Sequence, residues 1–251
     1  AIGLLILVGH NLLDTIHVKG NSFSDFIWAL LHQPKRFFFE DRKIAIGYPI
    51  IPWLGIMLLG YSAGQLYKKG MDALMRRKYL LMIGSGAILL FLLLRGINRY
   101  GDMAPWAQQG TFIMSICSFL KVTKYPPSLL YALMTLGPAL IFLALMEKPL
   151  NWLGKIMIPF GRVPLFFYIL HLYLIHGLAV IAVMITGRPW TDMVLTGGMN
   201  GKDSPWLIGY GFPLGVTYAV WILVVLILNP FCKKYDRYKT NHKEKWWLSY
   251  L

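Results

Sequence analysis

The chain has 251 residues, of which 57% are hydrophobic and 15% aromatic, and its mean hydropathy is +0.54. These values predict a polytopic membrane protein and argue against a soluble globular domain. The formal net charge of +14 requires no nucleic-acid partner, because basic loops facing anionic lipid account for it. We therefore expect the lipid bilayer to be the main partner.

The first apolar run covers residues 1–13 and is too short to cross a membrane. At a rise of about 1.5 Å per residue, it would span only about 20 Å. The chain also begins with Ala inside this run, so we interpret it as the C-terminal part of a longer protein. After this run, Ser24 or Asp25 precedes apolar residues in the segment 24–32, which predicts a short interfacial helix.

Five later runs are long enough to cross a hydrocarbon layer, which takes about 20 helical residues. They cover residues 47–67, 79–97, 126–146, 162–186 and 206–229. A second short interfacial helix is expected at 111–120. The predicted fold is therefore an all-α transmembrane helix bundle with five complete spans and one truncated span. It forms a single domain over residues 1–251, and residues 230–251 are a basic tail.

The distribution of Lys and Arg predicts the orientation of the spans. The loop 68–78 contains five of these residues and the segment after Pro230 contains six, so both are predicted to be cytoplasmic. Loops 14–46, 98–125 and 187–205 are then outside, although the first of them is also rich in Lys and Arg. Cys117 and Cys232 fall on opposite sides, so no disulfide is expected between them.

Several polar residues stand at the predicted outer boundary, where they would line a vestibule for an acceptor. The residues concerned are Arg95, Asp102, Lys124 and Tyr125. The alternative is that the cations reach the interface and that an arginine pairs with Asp102. Gly60 and Gly64 have the GxxxG spacing that lets another helix approach, either within the chain or in a homodimer.

His171 and His176 lie within the apolar run 162–186, where ionisable groups often mark a working site. They are five residues apart, about 140° around a helix, so they do not form an HxxxH metal pair. No metal is predicted. His171 is the candidate for proton transfer near neutral pH, and the alternative is that it is a hydrogen-bonded packing residue.

Five segments carry a family resemblance, in order along the chain. They are YPIIPWLGIMLLGYSAG from Tyr48, RGINRYGD from Arg95, SFLKVTKYPPSLLYALMTLGPAL from Ser118, FGRVPLFFYILHLYLIH from Phe160 and the terminal WWLSYL. Together they resemble bacterial membrane proteins similar to heparan-alpha-glucosaminide N-acetyltransferase. The blocks KYPPSLLY and GRVPLFFYILHLYLIH are the most specific parts of the resemblance.

The resemblance implies an inner-membrane acyltransferase that uses acetyl-CoA from the cytoplasm and an amino sugar or glycan outside. Basic residues on the inner side would then meet the CoA phosphates: Arg162, Lys68, Lys69, Arg76 and Arg77. The family's catalytic histidine is expected upstream of Ala1, so the role is not assigned to His10, and we expect the fragment to be an incomplete enzyme. The alternatives are a carrier or flippase without covalent chemistry, and a structural subunit.

Overall fold

The computed structural model describes residues 1–39, 42–149, 151–194 and 204–249. The chain divides into two compact units, Ala1–Pro149 and Leu150–Leu251, both mainly helical. Unit 1 contains these elements: α1 (Ile2–Gly9), α2 (Phe23–Leu31), β1 (Lys35–Phe39), β2 (Arg42–Ile46), α3 (Ile50–Ala63), α4 (Ala73–Ile97), α5 (Phe112–Leu120) and α6 (Leu129–Leu145). A 3₁₀ turn, His10–Thr15, extends α1, and another, Gly64–Tyr67, extends α3.

Helices α2 and α5 occupy the positions at which short helices were expected. The N-cap of α2 is Ser22, whereas Ser24 or Asp25 was expected. Its hydroxyl accepts a hydrogen bond from the Asp25 amide, while the Asp25 carboxylate accepts one from the Ser22 amide. This reciprocal capping box satisfies two donors that a helix N-terminus otherwise leaves without partners.

A β-hairpin follows α2 and departs from the all-α expectation. Strands β1 and β2 are antiparallel, with Lys35 opposite Ile46 and Phe39 opposite Arg42. Aromatic and β-branched residues, which favour extended structure, dominate the sequences RFFF and KIAI within the strands. The hairpin is anchored by Phe37, which is fully buried.

Unit 1 is held together by two close helix pairs, α1 with α3 and α4 with α6. A Cβ on Gly3 would lie 3.0 Å from the carbonyl oxygen of Gly55, so the backbones of α1 and α3 are in direct contact. Within the described residues, nothing lies within 4 Å of a Cβ built on Gly60 or Gly64. The predicted GxxxG face therefore has no partner helix inside the described chain, and its role in a homodimer stays a prediction.

Unit 2 contains α7 (Trp152–Arg162), α8 (Pro164–Ile185) and α9 (Leu214–Asn241). Helix α7 was not predicted; the Asn151 side chain caps it by accepting from the Gly154 amide. It ends before Pro164 because proline disfavours helical geometry at the preceding residue. Helix α9 continues through Pro230 and includes the first half of the predicted tail.

In the described parts of the chain, four helical segments are long and apolar enough to cross a membrane: Ile50–Tyr67, Ala73–Ile97, Pro164–Ile185 and Leu214–Asn241. They support a helical membrane protein, but the expected count of five complete spans is not confirmed. Helix α6 has 17 residues and is shorter than its predicted run 126–146. It begins late because Pro126 and Pro127 have no amide hydrogen and Ser128 then caps the helix by accepting from Tyr131.

Candidate functional site

Arg95, predicted to line the vestibule, is buried at the C-terminal end of α4. Its guanidinium donates four hydrogen bonds to main-chain carbonyls, at 2.5 to 3.1 Å. The acceptors are the carbonyls of Ala104, Ser118, Phe119 and Lys121. Four of the five guanidinium donors are therefore used to hold the loop around α5.

Asp102, the carboxylate predicted beside Arg95, has a similar structural geometry. Its two oxygens accept from the amide and hydroxyl of Thr123, the hydroxyl of Ser128 and the amide of Ala104, at 2.7 to 2.8 Å. These four bonds use the full acceptor capacity of a carboxylate. Arg95 and Asp102 thus fix the start of α6 and the Lys124–Tyr125 segment. Arg95 keeps one guanidinium donor beyond its four bonds, whereas the acceptor capacity of Asp102 is fully used, and a role for either in a vestibule stays a prediction.

Lys124 and Tyr125 lie next to the hairpin. Tyr125 lines a cavity of about 450 Å³ that also borders Pro34, Lys35, Arg36, Ala45, Ile46, Gly47 and Tyr48. Its hydroxyl is 3.3 Å from that of Tyr48, and the Lys124 ammonium lies 5.1 Å from the centre of its ring. Hydrogen bonding from Tyr48 and from Lys124 stabilises the phenolate and lowers the pKa of Tyr125.

A second cluster in unit 1, His10 with Asp14 and His32, was missed by sequence reasoning as a group. Nε2 of His32 lies 3.0 Å from Oδ1 of Asp14, and the ring centroids of His10 and His32 are 5.8 Å apart. Both histidines are only 2% exposed. The side-chain nitrogen Nδ2 of Asn11 donates a hydrogen bond to Oδ2 of Asp14 at 2.7 Å.

The spacing of His10 and Asp14, four residues apart, was the one sequence signal for this cluster. His32 is the C-cap of α2 and lies 18 residues beyond Asp14. The position of His32 beside Asp14 depends on how the intervening loop and helix fold. No local sequence pattern predicts that arrangement. The resulting group brings two imidazoles and a carboxylate together.

Unit 2 contains a basic cavity of about 490 Å³. Its lining comprises Arg162, Asp236, Lys239, Thr240, His242, Lys243, Lys245, Trp246 and Leu248. Four lining residues are cations and one is a carboxylate. Lys239 donates to the Arg162 carbonyl at 3.2 Å, and Lys245 donates to the Tyr238 hydroxyl at 2.7 Å, a bond that raises the pKa of Lys245. The concave site therefore favours an anionic ligand.

Of the predicted basic residues, Arg162 is the one that lines this cavity, and its side chain is 61% exposed. Arg76 instead forms a two-pronged ion pair with Glu147, with both N–O distances at 2.5 Å. Lys68 and Lys69 are exposed in unit 1. Within the part of the chain that is described, Nε of Arg77 is buried and has no hydrogen-bond partner.

His171, the predicted proton-transfer residue, lies in the middle of α8. Its Nδ1 is 3.2 Å from the carbonyl oxygen of Phe167, and its ring stacks on that of Phe167 at 5.2 Å. If Nδ1 carries the proton and donates to this carbonyl, Nε2 keeps its lone pair and remains available as a base. His176 is exposed and lies five residues further along α8.

No protein-family model, curated protein or solved structure matches the chain.

Proposed function

We propose that the chain belongs to a transmembrane acyltransferase, which moves an acetyl group from cytoplasmic acetyl-CoA to an amino sugar or glycan outside. The proposal includes five complete spans in a bacterial inner membrane, with the C-terminus in the cytoplasm. The observation that carries it is the basic cavity of unit 2, and the family resemblance supports it.

The basic cavity has the chemistry that a CoA nucleotide requires. CoA carries a pyrophosphate and a 3′-phosphate, and Lys and Arg are the usual partners of phosphate oxygens. Lys239, Lys243 and Lys245 supply ammonium groups around the cavity, and Arg162 supplies a guanidinium. The volume of about 490 Å³ falls within the range of small-molecule sites. Trp246 offers an aromatic surface for the adenine ring.

The acceptor is assigned to the cavity between the hairpin and Tyr125. Tyr48 and Tyr125 offer both flat ring surfaces and hydroxyl groups, while Arg36 provides an exposed cation. Such a lining suits a saccharide, and the cations at its edge favour one that carries acidic groups. Arg36 and Tyr125 belong to loops 14–46 and 98–125, which are predicted to face outward, and Tyr48 lies at the outer end of the predicted span 47–67. This assignment therefore agrees with an extracytoplasmic acceptor.

The proposed reaction is an attack of the acceptor amine on the thioester carbonyl of acetyl-CoA. The new C–N bond forms first and gives a tetrahedral oxyanion, which collapses as the C–S bond breaks. The amine loses a proton, and the CoA thiolate takes one up. His171 is the candidate base in the described chain because its Nε2 retains a lone pair when Nδ1 donates to Phe167. Stabilisation of the tetrahedral oxyanion would need hydrogen-bond donors near the carbonyl.

The decisive experiment measures CoA binding to the purified protein in lipid nanodiscs by calorimetry. We expect Lys239→Ala/Lys243→Ala to weaken binding at least tenfold. Lys155→Ala is the matched control, because Lys155 is an exposed cation on α7 that does not line the cavity. Dephospho-CoA lacks the 3′-phosphate and should bind the unmodified protein more weakly than CoA does. The double variant should lose less affinity for dephospho-CoA than for CoA, because only the pyrophosphate contacts are left to lose.

Acetyl transfer is then followed by mass spectrometry of glucosamine and acidic amino-sugar oligosaccharides incubated with acetyl-CoA and membranes containing the protein. An acetylated acceptor that depends on Lys239 and Lys243 would support the acyltransferase. Movement of the unmodified saccharide across the membrane would favour the carrier. Equal CoA affinity for the double variant and the Lys155→Ala control would overturn the assignment of the cavity.

A further inference from the structure

We propose that His10, Asp14 and His32 bind a divalent transition-metal ion, with zinc as the expected metal. The site lies in unit 1 and involves none of the residues assigned to CoA or to the acceptor. It goes beyond the acyltransferase proposal and can fail or succeed independently of it.

The ligand atoms are already close to the geometry of a metal site. One nitrogen from each histidine and one Asp14 oxygen all lie within 4.8 Å of one another. Zinc bonds of about 2.0–2.1 Å in a tetrahedron place neighbouring ligand atoms about 3.3 Å apart. Nε2 of His32 and Oδ1 of Asp14, at 3.0 Å, are near this separation, so the main adjustment is an approach by the His10 ring.

The environment of His10 is the second observation that points to a ligand. Its side chain is buried, and among the described residues neither of its ring nitrogens has a hydrogen-bond partner. Buried polar side chains nearly always have a partner, so an imidazole that lacks one on both nitrogens requires an explanation. Coordination would satisfy the nitrogen that faces Asp14 and His32, and neutral imidazole is a common metal ligand.

The surroundings of Asp14 resemble the outer shell of a metal site. The Asn11 side chain donates to Oδ2 of Asp14 at 2.7 Å, which leaves Oδ1 directed toward His32. Metal-binding carboxylates are commonly oriented in this way by a hydrogen bond to the second oxygen. Oδ1 of Asn11 in turn accepts from the Leu129 amide at 2.9 Å, so the orienting amide is itself fixed.

A small cavity beside the cluster offers room for a further ligand. It has a volume of about 10 Å³ and is lined by residues that include Asp14, His32, Met103 and Pro126. This is close to the smallest space that holds one water molecule. Three protein ligands and one water form the arrangement of zinc sites that have an open coordination position. Two imidazoles and one carboxylate also favour zinc or iron over calcium and magnesium, which prefer oxygen ligands.

The test uses the full chain purified with an affinity tag that contains no histidine, dialysed against chelator and then reloaded with Zn²⁺ or Co²⁺. Elemental analysis should give about one zinc per chain, and the cobalt protein should show the visible absorption of a four- or five-coordinate ion. His10→Asn and His32→Asn should each lower zinc affinity at least tenfold. His176→Ala is the control, because His176 is exposed and far along the sequence in unit 2.

Asp14→Asn provides a variant that keeps the size and hydrogen-bonding reach of the side chain. It should bind Co²⁺ more weakly and shift its absorption, whereas Asn11→Ala should bind with intermediate affinity because the ligand loses its orienting partner. Size-exclusion chromatography and thermal unfolding verify that each variant folds. Zinc at less than a tenth of an equivalent in the reloaded protein, or equal zinc affinity in His10→Asn, Asp14→Asn and the control, would overturn the proposal. Neither result would alter CoA binding at the unit 2 cavity.

Discussion

Gly84 in α4 and Gly137 in α6 are in mutual backbone contact. A Cβ on Gly84 would lie 2.8 Å from the carbonyl oxygen of Gly137, and a Cβ on Gly137 would lie 3.2 Å from that of Gly84. The separation of the two helices is therefore set by the absence of side chains at this crossing.

Gly84→Ala should destabilise unit 1 because the added methyl group would collide with main-chain atoms. Overpacking of this kind costs about 1–3 kcal/mol, which exceeds the gain of about 0.5–1 kcal/mol from the higher helix propensity of Ala. Gly86→Ala is the matched control on the same helix, since nothing lies within 4 Å of its Cβ position. Thermal unfolding in detergent should show a lower Tm for Gly84→Ala than for Gly86→Ala, and equal Tm values would contradict the close crossing.

Arg95→Lys should also be destabilising, although it conserves the charge. An ammonium has three donors and no planar fork, so it cannot reproduce four bonds to the carbonyls around α5. Loss of a hydrogen bond to a charged group costs about 1.5–3 kcal/mol. Arg99→Lys, at an exposed position just after the end of α4, should have little effect. Limited proteolysis between residues 104 and 121 should be faster only in the Arg95 variant, and unchanged cleavage would count against the proposed anchoring.

The Arg76–Glu147 pair predicts an acid-sensitive contribution to stability. The hydrogen bonds from Arg76 lower the pKa of Glu147 below its ordinary value of 4.5. The stabilisation from the ion pair is therefore complete above the ordinary pKa of Glu147. It is lost as the pH falls through the lower pKa that Glu147 has in the folded state. In Glu147→Gln, thermal stability should fall at pH 7 and depend less on pH between 5 and 3, whereas Glu244→Gln should retain the unmodified profile. Identical pH profiles for the two variants would show that the pair contributes nothing.

Lys124→Met should raise the pKa of Tyr125, because it removes a cation and a donor that favour the phenolate. Ultraviolet difference titration against Tyr125→Phe isolates this one tyrosine among the 14 in the chain. The titration should move to higher pH in Lys124→Met, and in Tyr48→Phe it should move in the same direction. No shift in either variant would show that the three groups do not interact in solution.

Hydropathy predicted most of the helices because each long apolar run is a local property of the sequence. The runs at 47–67 and 79–97, for example, correspond to α3 with its 3₁₀ extension and to α4. Helix α4 begins six residues before its predicted start, since the Asp72 side chain caps it by accepting from Met75. The charged residues at 76–78 lower the local hydropathy, so hydropathy alone did not predict the first turn of α4.

The hairpin and the His10 cluster were beyond such reasoning because they depend on distant pairings. In β1 and β2, five residues each, stability comes from the partner strand and from burial of Phe37. For Arg95, the sequence correctly predicted a position at the end of an apolar run. Its four carbonyl partners lie between residues 104 and 121, and the sequence pattern did not predict them. Residue type indicated a polar boundary and could not distinguish a ligand contact from a loop anchor.

Asn11 links two parts of unit 1 through a single side chain. Its side-chain oxygen Oδ1 accepts a hydrogen bond from the main-chain amide of Leu129, the first residue of α6, and its side-chain nitrogen Nδ2 donates to Asp14. Asn11 therefore joins the α6 N-terminus to the Asp14 carboxylate. Because α6 begins four residues after Tyr125, this one side chain connects the cluster of His10, Asp14 and His32 to the chain segment that borders the cavity beside the hairpin.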